Sequence, residues 1–90
     1  MDIVEELIDE LRKDAEIRHA SFSNKFLSTV GSMCSRYGYG ATRLFLLGRN
    51  EPEAAILLRI LDKIEDRNVP TELGTLIFKK LNAIKFVRGV

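Results

Sequence analysis

Tryptophan is absent, and histidine and cysteine occur once each, as His19 and Cys34. A single cysteine excludes an internal disulfide, so the fold needs no oxidising compartment. One histidine and one cysteine also leave little material for a nucleophile with its base, or for a metal-ligand set. Proline is confined to Pro52 and Pro70, so helices can run unbroken over long stretches. No run approaches the roughly 20 apolar residues of a membrane span. Residues 2–6 are acidic and amphipathic and lack the basic region of a signal peptide. Acidic side chains are missing from 17 to 50, whereas Arg18, Lys25, Arg36, Arg43 and Arg49 all fall there.

What is present describes an ordinary globular chain. Of 90 residues, 46% are hydrophobic and 30% charged, which suits a single folded domain over 1–90 and excludes a disordered one. A formal net charge of +1 gives no global field toward nucleic acid or membrane. The signs are segregated, however, into an acidic head, a basic middle, a mixed stretch and a basic tail. A soluble protein of the reducing cytoplasm is the expected setting.

Helical periodicity dominates. Ile3, Val4, Leu7, Ile8, Leu11 and Ala15 form one stripe, with Glu5, Glu6, Asp9 and Glu10 around the other face. This short a/d-like seam could pair with a second copy. Ser21 or Ser23 can cap a second helix, in which Phe22, Phe26, Val30, Met33 and Tyr37 form the apolar stripe, widened by Leu27 and Cys34. Gly31 and Ser28, Ser32 and Ser35 lie opposite, on a small-residue face. Gly38 stops that helix as a left-handed cap, and a short helix over 41–47 ends at Gly48. Asn50, Pro52 and Glu53 read as a capping box opening a helix over 51–67, expected to be the most buried. Asn68 and Pro70 end it, and Thr71 caps a last helix over 72–87. The expected fold is an all-α compact bundle: four longer helices and one short one, antiparallel neighbours, and the 51–67 helix central.

Catalytic and cofactor motifs are weak. Glu16 and His19 have the Glu-x-x-His spacing of di-metal bundles, but the second motif is missing, so no metal is expected. Cys34 has no histidine near it in sequence. The carboxylate pairs Glu5/Asp9 and Glu6/Glu10 read as a solvated helix face. Gly38-Tyr39-Gly40 before a helix start resembles an anion loop, but no strand precedes it and no Lys-Ser/Thr pair follows. No catalysis and no cofactor are expected.

The partner- or anion-binding candidates are Arg36, Tyr39, Gly40, Arg43 and Arg49. Arginine supplies paired donors and tyrosine a stacking plane. Phe78 and Phe86 lie off the last helix's core stripe and are candidates for an interface. The expected function is a small regulatory or adaptor module that binds a protein partner or a second copy as a homodimer. The alternative is a nucleic-acid-binding module using the basic segment 36–49.

Overall fold

The chain forms four α-helices: Ile3–Ile17 (α1), Asn24–Leu47 (α2), Pro52–Asp66 (α3) and Thr71–Ala83 (α4). The structure, a computed structural model, describes residues 2–17 and 22–83, and among these there is no strand. The radius of gyration, 12.0 Å, is what a folded chain of about this length has. The protein is thus an all-α compact bundle.

Local chemistry explains the helix ends. Asp2 opens α1: its Oδ1 accepts from the Val4 amide at 3.2 Å, and its carbonyl accepts from Glu6. Ser23 caps α2, its Oγ accepting from the Phe26 amide at 3.0 Å. At α3 the capping box does not form. Glu51 holds the extended N-cap conformation without a side-chain bond to the helix, because Arg49 takes its carboxylate. Pro52 does occupy the first turn. The far end of α3 is a Schellman motif. Asn68 is left-handed (φ 54°), its amide donates to Glu65, and the buried Val69 donates to Ile64. Thr71 is the first residue of α4 rather than its cap, since the Pro70 carbonyl accepts from Leu73 and Gly74.

The decisive local feature is Gly38. It alone departs from helical geometry within α2, at φ 85° and ψ −174°. That region is essentially closed to residues with a Cβ. In a straight helix Phe26 and Phe45 would be about 28 Å apart. Their ring centroids are 6.2 Å apart, so the chain folds back sharply at Gly38. The helix expected over 41–47 is therefore the second arm of α2 (residues 39–47), joined to the first arm (24–37) by one residue.

Two of the antiparallel pairs join helices that are distant in sequence. On α1 and α3, Glu6 meets Arg67 at 2.9 Å, Glu10 meets Lys63 at 3.2 Å and Asp14 meets Arg59 at 3.2 Å. Each step of four along α1 is matched by a step of four back along α3. The acidic head thus answers cations of α3, and Glu6 and Glu10 are rungs rather than a solvated face. The first arm of α2 runs antiparallel to α4: Cys34 lies at Thr75, while Gly31 lies at Phe78 and Lys79. This α2–α4 seam is the broadest in the molecule, α3 packs on α1 and α2, and α4 also packs on α1. Ala54, Ile56, Leu57, Ile60, Leu61 and Ile64 of α3 are buried, as its apolar pattern predicts.

Two expectations about α2 are corrected by this packing. Its buried side is Leu27, Val30, Gly31 and Cys34, so the small residue Gly31 is inside, against Phe78, where a Cβ would make ordinary van der Waals contact. Tyr37 is 69% exposed instead of completing the core stripe.

Candidate functional site

The bend at Gly38 decides where the predicted site residues go. Tyr39 follows it immediately and points into the α3–α4 connection. Its hydroxyl donates to the carbonyls of Val69 and Pro70, both at 2.8 Å. The ring occupies the space left by the missing side chain of Gly74, where a Cβ would sit 2.8 Å from Tyr39 Cζ. Burial pushes the phenol up to about 12. Tyr39 is a structural clasp, with its polar tip already satisfied.

Arg43, one turn on, ion-pairs with Asp62 and Glu65 of α3. Arg49 makes a two-bond pair with Glu51 at 2.8 and 2.9 Å and lies over the rings of Phe26 and Phe45 at 5.8 and 5.6 Å. Both arginines therefore have internal partners. Gly40 is exposed, with open space where a Cβ would be. Arg36 is exposed on the first arm, in a shallow groove with Lys25, Ser28, Thr29, Ser32, Met33 and Tyr37. The five candidates do not converge on one ligand position: Tyr39, Arg43 and Arg49 hold the bend closed, and Arg36 and Gly40 face solvent.

The interface candidates also divide. Phe78 is fully buried, its Cβ 3.6 Å from where a Cβ on Gly31 would sit, so it is core and offers nothing to a partner. The buried side of α4 runs through Gly74, Ile77, Phe78 and Leu81, while Leu73 and Leu76 are exposed. Phe86 and His19 lie outside the described residues, as does the side chain of Glu16. Cys34 is buried, and desolvation raises its thiol pKa, only partly opposed by the nearby Thr42 and Thr75 hydroxyls. A nucleophilic cysteine needs the opposite shift. Among the described residues no cluster of His, Cys, Asp or Glu could hold a metal ion. A groove of about 660 Å³ follows the α1–α3 seam, but the ion pairs Glu10–Lys63 and Asp14–Arg59 line it.

The periodicity missed a different surface. Leu44 is 73% exposed and Leu47 62% exposed, three residues apart on the second arm of α2 and on the side of Gly40. Tyr37 joins them as an exposed large apolar group just before the bend. Two exposed leucines one turn apart on a rigid helix, beside a glycine, make a smooth apolar face. The signal was available as the run Leu44-Phe45-Leu46-Leu47, too apolar for one stripe, since a short helix cannot bury all sides. Among the described residues no helix is long and apolar enough to cross a membrane. Comparison with protein-family models, curated protein sequences and solved structures finds no match for the chain.

Proposed function

We propose that the protein is a small regulatory or adaptor module that acts by binding another protein, without catalysis, through the second arm of α2. The observation that carries this reading is the exposure of Leu44 and Leu47 on one rigid helix face. Apolar groups held this way are what the centre of a protein interface requires. The bend supports it: Tyr39 and Arg43 brace the arm from behind, so its outward face is presented with little entropy left to lose. A reducing intracellular setting suits an inert buried Cys34.

The nucleic-acid alternative loses most of its donors, because Arg43 and Arg49 are engaged internally. Two experiments separate the readings. Partner capture from cells by the wild-type chain is compared with Leu44→Asp/Leu47→Asp, after circular dichroism shows equal helicity. The reading expects at least a tenfold loss of captured protein, and equal capture by both chains sinks it. Titration with single- and double-stranded oligonucleotides at low salt is expected to show no binding. Tight binding that weakens steeply with salt would favour the alternative instead.

A further inference from the structure

We infer that Gly38 is a hinge through which two copies of this chain can exchange halves, giving a domain-swapped dimer in which α2 is a single straight helix. The proposal concerns contacts inside the fold and does not depend on the partner-binding reading.

Three observations carry it. The first is the hinge. One residue interrupts an otherwise helical stretch of 24 residues. Returning Gly38 to helical torsions would make α2 one rod of about 36 Å. Short hinges are where exchange between identical chains begins.

The second is what restrains the hinge. A Cβ on Gly38 would meet nothing within 4 Å. Packing therefore does not demand glycine there, and only the backbone torsion does. An alanine would penalise the bent form and favour the straight one, because Ala prefers helix and resists positive φ.

The third is how contacts divide about the hinge. Residues 39–83 are tied among themselves: Tyr39 to Val69 and Pro70, and Arg43 to Asp62 and Glu65. By contrast, α1 packs on α3 and α4, and the first arm of α2 packs on α4. The Phe26 ring meets Phe45 and Arg49 across the same divide. These contacts of the first half are all with the second half. The second half of another copy supplies the same surface, the same three ladder rungs and the same Phe78. Exchange thus keeps these contacts and removes the unusual torsion, in return for the entropy of association. Mass action then makes the outcome depend on concentration.

The test uses Gly38→Ala in the full chain. Refolded at high concentration and weighed by light scattering, it is expected to be mainly dimer, at twice 10.2 kDa, while the wild-type chain at low concentration is mainly monomer. A folded, monomeric Gly38→Ala at every concentration overturns the proposal.

If that variant does not fold, charge reversal of the ladder decides with Gly38 intact. One chain carries Glu6→Lys, Glu10→Lys and Asp14→Lys. The other carries Arg59→Glu, Lys63→Glu and Arg67→Glu. Each has a repulsive α1–α3 seam alone, and only exchange restores opposite signs at both seams. Co-refolded, they are expected to give a one-to-one heterodimer, at least tenfold over either homodimer. It should persist in 1 M salt, where screening reaches about 3 Å, and should not form on simple mixing of the folded chains. A heterodimer that forms on mixing and dissolves in salt is surface attraction, and it overturns the proposal, as does the absence of any heterodimer.

Discussion

The α1–α3 seam and the α2–α4 seam are both antiparallel helix pairs, but they are held by different physics. The first has charge at its edge: three ion pairs in step, with partners 22% to 57% exposed. Such pairs typically stabilise by 0–1 kcal/mol each. The second is made of close approach. Gly74 admits the Tyr39 ring, Gly31 lies against Phe78, and Cys34, Val30 and Ile77 are buried alongside. In such a seam every missing or added methylene is felt. The ladder is conspicuous and replaceable, whereas the glycine contacts are inconspicuous and sensitive.

That contrast can be broken most directly at Phe78. Phe78→Ala should destabilise by about 3–5 kcal/mol in urea titration, as large-to-small changes of buried aromatics do. Gly74→Ala should cost about 1–3 kcal/mol, since the added methyl displaces the Tyr39 ring. If Gly74→Ala proves neutral, the close approach is not what positions Tyr39.

A smaller effect sharpens the comparison through pH. Tyr39→Phe should cost about 1 kcal/mol at neutral pH, the usual value of one hydrogen bond. The folded phenol titrates at about 12, above its ordinary 10.0. Its contribution is therefore fully present below pH 10 and lost as pH rises toward 12, where the unfolded chain ionises first. Alkaline titration should show the wild-type chain losing its advantage over Tyr39→Phe in that window. A constant difference between the two chains from pH 8 to 12 would refute the clasp.

The smallest effects belong to the ladder. Lys63→Ala should cost under about 1 kcal/mol and less in high salt. Arg67 holds the Glu6 carboxyl below its ordinary 4.5. The stability from that rung is present above pH 4.5 and lost as pH falls through the lowered value. Thermal melts at pH 7 and pH 3, with and without Arg67→Ala, check this. A larger loss at Lys63 than at Phe78 would invert the comparison.

Much of the fold could be read directly. Ser23, Gly38, Pro52, Asn68 and Pro70 punctuate the chain through local chemistry that acts within four residues, and each acts where expected. The candidate site was less legible. The apolar spacing carries the α2 stripe through Val30 to Tyr37, with Leu27 and Cys34 at its edge, but the buried side centres on that edge and extends to Gly31, which leaves Tyr37 outside. Tyr37 was thus assigned inward and Tyr39 outward, and the structure reverses them. Arg43 and Arg49 looked free because no acid lies within the stretch 17–50, yet Asp62, Glu65 and Glu51 arrive from beyond it. Pairing between distant segments leaves no local trace, so the ladder, whose bonded ends are up to 61 residues apart, was also out of reach.

The ladder has a further property, visible when α1 is slid past α3 by one helical turn. Moved one way, Asp2 comes opposite Arg67, Glu6 opposite Lys63 and Glu10 opposite Arg59. Three attractive rungs survive, and only Asp14 is left facing an uncharged residue, Ala55. A row of like signs against a row of opposite signs resembles a rack without numbered teeth. It selects which helix and which face α1 meets, and it is nearly indifferent to where α1 stops. The stopping point must come from shape: Leu7 and Leu11 of α1, Ile60 and Ile64 of α3, all buried and able to interlock in only one phase. In this protein charge chooses the neighbour, and methyl groups keep the place.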